Sequence, residues 1–267
     1  MFHEITPHQY SLEYKHKDLT DNDYVIMGNL NQSVLLIDGS IPTYSLLKDQ
    51  LNCDYQYLFS IDDDNYFMFY EILDGEYVKV RQIIKTLDEK DAFACATGHH
   101  LFSWYYTHQY CGICKEKLTS HKSLRALYCE KCKQLSFPTI SPAVIIGIIN
   151  NDKILMSQYA GREYKGNALI AGFCEIGETV EETCKRETME EVGIKIKDIE
   201  YFKSQPWGVD STLLLGFFAR LDGDDHIEVD HQELEKAMWV SAKDIEENDN
   251  PQTLTATMIE HFRKTYL

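Results

Sequence analysis

Long apolar stretches are missing from this chain. The longest, residues 143–149 and 213–219, hold seven residues each, far below the roughly 20 that cross a bilayer as a helix, so no transmembrane helix is expected. An export signal is missing too, because His8, Glu13, Lys15, Asp18, Asp21 and Asp23 interrupt the early residues where one would need a basic start and a continuous apolar run. A cytoplasmic protein is the expectation. Basic residues are scarce: 26 Lys and Arg stand against 43 Asp and Glu, a formal net charge of −17. Such a surface repels nucleic-acid phosphates and anionic lipid over long range, which excludes a generic nucleic-acid binder. Any anionic ligand must be met by local cation, from a metal or from a few Arg and Lys. Repeats and low-complexity tracts are also lacking. What remains, 267 residues with 44% hydrophobic and 12% aromatic content, suffices for a folded protein of about two domains.

Eight cysteines in a chain without an export signal point to a reducing compartment, where clustered thiols serve metals or catalysis more often than disulfides. Cys111-Gly-Ile-Cys114 and Cys129-Glu-Lys-Cys132 each leave two residues between thiols, and fourteen residues separate the pairs. That spacing lets one tight turn present two sulfurs to a tetrahedral ion, and a short hairpin folds one pair onto the other. The reading is a structural zinc ribbon with every coordination position filled, the other use of such pairs being a redox dithiol. Cys53, Cys95, Cys174 and Cys184 have no paired spacing and read as buried small hydrophobes.

Ahead of the ribbon the texture is β-rich, with candidate strands at residues 24–27, 33–37, 55–61 and 66–73. A helix follows, for which Thr86-Leu-Asp-Glu89 fits a capping box and Leu87, Ala94, Leu101, Trp104 and Tyr105 could line one face, with Gly98 a weak point. The domain division expected is residues 1–108 as a β-rich domain with its connecting helix, 109–136 as the ribbon, and 137–267 as a second domain. In the last, residues 143–149 and 153–158 flank Asn150-Asn151-Asp152 as a hairpin. A Gly-containing loop over residues 159–167, a short strand toward Phe173, one strongly signalled helix, strands near 194–202 and 212–219, and a last helix across 253–266 complete it.

The helix in question lies in Gly172-Phe-Cys-Glu-Ile-Gly-Glu178-Thr-Val-Glu-Glu-Thr-Cys-Lys-Arg186-Glu187-Thr-Met-Glu190-Glu191-Val-Gly193-Ile194. Thr179-Val-Glu-Glu182 is a capping box at its start and Gly193 a C-terminal stop. Glu187, Glu190 and Glu191 stand at i, i+3 and i+4, so their carboxylates project from one face within about one turn. Hard oxygen ligands so placed suit Mg²⁺ or Mn²⁺ holding a substrate phosphate as well, and Arg186 is free to pair with Glu178 and fix the loop. A solvated acidic helix face is the other reading of the three glutamates alone.

The whole string resembles the Nudix box, matched at every fixed position by Gly172, Glu178, Arg186, Glu187, Glu190, Glu191, Gly193 and Ile194, with Thr188 where the family prefers an aliphatic. The resemblance implies an α+β protein whose Nudix α/β/α sandwich follows a β-rich N-terminal domain and a zinc ribbon. A ribbon ahead of the box, Leu101-Phe-Ser-Trp104, Val80-Arg81-Gln82, Ser204-Gln205-Pro206-Trp207 and Asp230-His-Gln-Glu233 extend the likeness to the NADH pyrophosphatase subfamily, which also removes NAD caps from RNA. By that likeness Glu178, Arg186, Glu187, Glu190 and Glu191 form the catalytic set. Glu187, Glu190, Glu191, Glu233 and the Ala171 carbonyl would hold divalent metal. Arg81, Phe137, Phe173, Gln205, Pro206, Trp207 and Thr212 would meet the dinucleotide, and two chains would form a homodimer.

Departures from the family pattern bear on substrate. After Trp207 the family continues Pro-Phe-Pro, whereas this chain has Gly208-Val209-Asp210. Phe137 replaces a Tyr, Leu124 an acidic contact, and Thr255 a small residue. The implied reaction is hydrolysis of NADH or NAD⁺ to AMP and nicotinamide mononucleotide, with Glu190 or Glu191 as general base. The alternatives are the same chemistry on ADP-ribose or a diadenosine polyphosphate, and a non-catalytic nucleotide sensor. Lys165, in a flexible-looking loop, is a further candidate for the diphosphate. The basic ribbon neighbourhood (Lys115, Lys117, Lys122, Arg125, Lys131 and Lys133) leaves room for RNA.

Overall fold

The computed structural model describes residues 1–161 and 166–267. The chain divides into an N-terminal unit, Phe2–Ile140 with Trp207–Ser211, and a C-terminal unit, Ser141–Pro206 and Thr212–Leu267 with Met1.

In chain order the N-terminal unit contains β1 (Tyr10–Ser11), β2 (Tyr24–Val25), β3 (Gly28–Asn29), β4 (Ser33–Leu35), α1 (Tyr44–Leu47), β5 (Tyr55–Ile61) and β6 (Asp64–Phe69). Then follow β7 (Tyr77–Lys79), α2 (Val80–Thr86), α3 (Glu89–Thr107), β8 (Thr119–Ser120), β9 (Leu127–Tyr128) and β10 (Leu135–Ser136). Small sheets run β1-β5-β6-β2, β3-β4-β7 and β10-β9-β8. Most of β5 and β6 is buried without alternation, the pattern of strands covered on both faces.

The helical part differs from the sequence expectation. Thr86 does not cap the long helix. It ends α2, a helix absent from the sequence reading, and Leu87 then turns extended. The cap is Asp88, whose carboxylate accepts the Asp91 N–H at 3.0 Å. Two overlapping cap signals lie two residues apart here, and the aspartate wins because residues 80–86 already spend Thr86 on an earlier helix. No single apolar face lines α3 either, since buried residues run from Ala92 through Tyr105 around the helix. Gly98 is required rather than weak: a Cβ there would stand 2.8 Å from Ile26.

The C-terminal unit contains β11 (Ser141–Asn150), β12 (Lys153–Tyr159), β13 (Ile170–Phe173), α4 (Val180–Val192), β14 (Ile196–Trp207), β15 (Thr212–Leu221), β16 (Leu234–Ser241), a 3₁₀ turn Ala242–Asp244 and α5 (Leu254–Tyr266). The sheet order is β14-β15-β11-β12-β16, with β13 also on β11. The pair β11–β15 is parallel, while β12 and β13 meet β11 antiparallel. Successive strand residues point to opposite faces. Val144, Ile146 and Ile148 therefore join Cys184 and Val192 of α4 in one core, while Ile145 joins Leu254, Met258 and Phe262 of α5 in the other. A strand covered on both faces must be apolar throughout, which is why residues 143–149 form so unbroken a run.

β14 extends five residues past the sequence expectation, through Pro206 to Trp207. It lies at the edge of the sheet, where a proline without an N–H is tolerated. Its Gln205 is fully buried. The Gln205 Oε1 accepts the Leu254 N–H, the first of α5, at 2.8 Å, and Nε2 donates to the Gln252 carbonyl at 3.2 Å. One amide thus caps the last helix and ties it to the sheet edge. Gln205→Ala is expected to lower stability by about 1–3 kcal/mol, since it strands a buried N–H and a carbonyl. Urea unfolding of the two proteins checks this, and equal midpoints would refute the capping role.

Candidate active site

β13 and α4 build the site. The Thr179 hydroxyl accepts the Glu182 N–H at 3.2 Å and the Glu182 carboxylate accepts the Thr179 N–H at 2.8 Å, so a reciprocal capping box starts α4. Gly193 stops it in the left-handed conformation, φ 69°. On the helix between them Glu187 is half-buried against β13, Glu190 is exposed and Glu191 is buried. Glu187 reaches this position because Gly172 has no side chain: a Cβ built there would lie 1.9 Å from the Glu187 carboxyl carbon.

Arg186 holds these groups together. Its Nε donates to Glu178 Oε1 at 2.6 Å and its Nη2 to Glu178 Oε2 at 2.9 Å, a bidentate pair. Nη2 also donates to the Phe173 carbonyl at 3.0 Å, and Nη1 to Glu187 Oε1 at 2.7 Å and Glu190 Oε2 at 2.9 Å. Each of the five N–H donors of a guanidinium has an acceptor. The Thr183 hydroxyl, fully buried, adds a hydrogen bond to Glu178 Oε2 at 3.0 Å. Nothing in the spacing of the chain marked Thr183 for this part.

The electrostatics follow from the contacts. The Arg186 guanidinium holds the Glu178 carboxyl down at about 2. Burial pushes the Glu187 carboxyl up, with Arg186 opposing and the charges of Glu190 and Glu233 adding to the rise. Glu233 thus stands in the field of Glu187 although it comes from the turn before β16. The Glu233 carbonyl accepts the Ala160 N–H at 2.9 Å.

The side chains gathered at α4 offer carboxylate oxygen, a hard ligand suited to Mg²⁺ or Mn²⁺. The side chain of Glu187 occupies a cradle that a Cβ at residue 172 would fill, so the residues fit such an ion. The carboxylates stand apart around Arg186. Among the described residues, the group of potential ligand atoms drawn within 4.8 Å of one another is Cys111, Cys114, Cys129 and Cys132.

Those cysteines sit on two matching turns. Lys115 N–H donates to the Cys111 carbonyl at 2.9 Å and Cys111 N–H to the Glu116 carbonyl at 2.8 Å; Lys133 with Cys129, and Cys129 with Gln134, repeat the pattern at 2.8 and 2.9 Å. Lys115 and Lys133, each just after the second thiol, both take positive φ, 64° and 57°. The turns bring Cys114 Sγ to 3.5 Å from Cys129 Sγ. Backbone N–H groups of Cys114 and Ile113 lower the Cys111 thiol to about 6, while hydrogen bonding to neighbouring thiols raises Cys132 to about 12. Four thiols so arranged fit a tetrahedral zinc ion. Of the other cysteines, Cys95 and Cys184 are buried, and Cys53 and Cys174 are partly exposed.

The remaining candidates are placed as follows. In the C-terminal unit Phe173 is 55% exposed and Pro206 is exposed, while Thr212 is buried. Gln205 is buried, with its amide on the Leu254 N–H and the Gln252 carbonyl. In the N-terminal unit Phe137 is 54% exposed. Trp207 is buried there, edge-on to Phe2 at 5.8 Å, with the Arg81 guanidinium 5.2 Å above its ring. Arg81 Nη2 also lies 3.8 Å from Asp210 Oδ2. The residue after Trp207 explains one departure: a Cβ on Gly208 would stand 2.0 Å from the Ala96 carbonyl oxygen of α3, and His99 Nδ1 donates to the Gly208 carbonyl at 3.1 Å. In the sequence Asp210 stands out only as a departure from the family pattern, and nothing there marks it as a partner of Arg81. Lys165 lies outside the described residues.

Fold and site together define a metal-assisted hydrolase of the Nudix type. Residues 139–262 match the NUDIX domain. Over 181 residues the chain is 36% identical to the protein named NAD-capped RNA hydrolase NudC of Escherichia fergusonii, covering 68% of this chain and 70% of that protein, and the same figures hold for the NudC of Escherichia coli strain K12 / DH10B. Among solved structures, a NUDIX hydrolase from Nitrosomonas europaea superposes with a TM-score of 0.47 at 21% identity, covering 58% of this chain and 90% of that one. The chain belongs to the Nudix hydrolase family, whose members act on pyrophosphate bonds with divalent metal.

The Glu178–Arg186 pair has a pH signature. Its carboxyl falls from an ordinary 4.5 to about 2 in the folded protein. The pair therefore stabilises the fold fully above pH 4.5, and the contribution is lost as pH falls toward 2. Thermal unfolding followed down this acid range is expected to fall more steeply for wild type than for Glu178→Gln. Parallel profiles would refute the pairing.

Proposed function

We infer that this protein hydrolyses the pyrophosphate bond of NADH and NAD⁺, releasing AMP and the correspondingly reduced or oxidised nicotinamide mononucleotide, and removes NAD caps from RNA. The observation that carries the reading is the carboxylate set that Arg186 organises on α4, in a chain 36% identical to proteins named for cap hydrolysis. Glu187, Glu190, Glu191, Glu233 and the Ala171 carbonyl would hold Mg²⁺ or Mn²⁺, and Cys111, Cys114, Cys129 and Cys132 a structural zinc in a ribbon spanning residues 109–136. When bound, the catalytic ions neutralise the diphosphate and acidify the attacking water.

The chain's own groups do the rest. Water attacks one phosphorus, the bridging P–O bond breaks, and the water's proton passes to a Glu190 oxygen not committed to metal, Glu190 being the one of the two candidate bases that is open to solvent. Arg186 and Glu178 are positioning residues: every guanidinium donor is already used, so Arg186 fixes the carboxylates and leaves phosphate to others. Phe173 and Phe137 offer exposed rings for a base, and Arg81 a cation for the diphosphate. Residues 1–108 form the β-rich domain that carries Arg81, residues 137–267 form the catalytic one, and the working form is a cytoplasmic homodimer. A second reading, the same bond in ADP-ribose or a diadenosine polyphosphate, draws on Asp210 beside Arg81, because that carboxylate alters the charge offered to a substrate.

Product chromatography after incubation with Mn²⁺ or Mg²⁺ and NADH, NAD⁺, ADP-ribose, diadenosine polyphosphates or NAD-capped RNA tests both readings. AMP is expected from the first two, with reduced nicotinamide mononucleotide from NADH and the oxidised form from NAD⁺, and with kcat reduced at least about 100-fold in Glu190→Gln. No turnover of any of these substrates by wild type would sink the enzyme assignment, and equal turnover by wild type and Glu190→Gln would remove Glu190 as the base. Asp210→Asn frees Arg81 from a competing carboxylate and is expected to lower KM for NADH about two- to fivefold with kcat unchanged, the range of an exposed ion pair. An unchanged KM removes Asp210 from substrate selection.

A further inference from the structure

Within the N-terminal unit a cavity of about 400 Å³ opens where three segments meet: the stretch before β2, the start of β5, and the end of β8. Tyr14, Lys15, Lys17, Tyr55, Tyr57 and Lys122 line it, together with two histidines, and none of its lining residues is acidic. In a chain with 43 acidic and 26 basic residues this local reversal of charge is what an anionic ligand requires. The groove is held in shape by its own contacts. Ser120 Oγ donates to Gln56 Oε1 at 2.7 Å, fixing the ribbon hairpin against β5. The Lys17 ammonium lies 4.8 Å from the centre of the Tyr57 ring and donates to Asn65 Oδ1, so its charge is fixed at the floor. Lys15 pairs with Glu13, just outside the lining, and Tyr55 keeps 37% of its surface exposed.

We propose that this groove binds a single-stranded RNA segment, the body of a capped transcript, with backbone phosphates on Lys15 and Lys122 and a base against Tyr55. A free anion would account for the lysines but not for the tyrosine rings, and an apolar ligand for the rings but not for the lysines; a strand of nucleotides uses both. The volume suits a nucleotide unit, within the roughly 300–1,000 Å³ of ligand pockets. The ribbon acquires a task as well, since it presents Ser120, His121 and Lys122 to the strand. The proposal rests on the capped-RNA reading above, so its test separates the two.

Fluorescence anisotropy of the full chain with a labelled, uncapped single-stranded RNA of about 12 nucleotides, across a salt series, reads the groove without catalysis. Relative to wild type, Lys15→Gln/Lys122→Gln is expected to bind about tenfold more weakly and to flatten the slope of log K against log salt by about 1.4, roughly 0.7 per phosphate contact on a single strand. Tyr55→Ala should weaken binding about fivefold or more with the slope unchanged. NADH turnover is expected to stay at the wild-type level in both variants, which also shows that they fold. Wild-type affinity and slope in the double variant, with NADH turnover intact, would overturn the groove alone. RNA binding that responds to these substitutions in a protein with no NADH turnover would uphold the groove and overturn the enzymatic reading. Displacement of the RNA by AMP at matching concentration would overturn the strand and leave a mononucleotide pocket.

Discussion

Carboxylates crowded on a single turn of helix repel one another, and the guanidinium of Arg186, bonded to Glu187 and Glu190 of that turn and to Glu178 before it, offsets the repulsion. Its position depends on features at both ends of α4. The capping box fixes where the helix begins, and with it the distance from Arg186 back to Glu178. At the other end Gly193 stops the helix, leaving the Glu191 and Val192 carbonyls to accept the N–H groups of Asp230 and Glu228 at 2.9 and 3.0 Å. Those two bonds tether the segment that carries Glu233, and so its charge falls on Glu187. Gly172 supplies the final condition by leaving the space that the Glu187 carboxyl fills. Remove any of these and the carboxylates would have to find another arrangement.

Whether a feature could be read from sequence depended on the distance over which its cause acts. The capping box, the αL stop at Gly193 and the i, i+3, i+4 glutamates are all set within one helix, and the ribbon turns within a few residues of each thiol pair. The core of the C-terminal unit was readable for a related reason: strands covered on both faces leave unbroken apolar runs, as at residues 143–149. Gln205 was not readable, because its partners Gln252 and Leu254 lie 47 and 49 residues away and nothing local distinguishes a capping amide from a substrate-binding one. The start of α3 failed for the opposite reason, two local signals competing within Thr86–Glu89, which only the existence of α2 resolves.

The departure after Trp207 illustrates how a pattern can be broken without loss of structure. Family members place prolines there, but this chain uses the absence of a side chain at Gly208 to bring its backbone against α3, where His99 and the Ala96 carbonyl meet it. Burial lowers the basicity of His99 and favours its neutral form, which can donate from Nδ1 to the Gly208 carbonyl without burying a charge. The stretch thereby holds Trp207 as a platform for Arg81, and Asp210 becomes the group that shares that cation.

Net charge misleads when it is taken as a property of the whole surface. Seven glutamates between Glu175 and Glu191, with only Lys185 and Arg186 among them, concentrate acidity at α4. Two or three divalent ions would bring four to six positive charges to that segment, so the most repulsive part of the chain is also the part best able to gather metal and then phosphate. The groove of the N-terminal unit reaches the same end differently, with lysines set among tyrosines and no acid in its walls. An acidic protein that must handle a phosphate chain therefore has two local means of doing so, one that borrows its positive charge from solution and one that carries it. The first responds to metal concentration and the second to ionic strength, so the two can be varied independently on the same molecule.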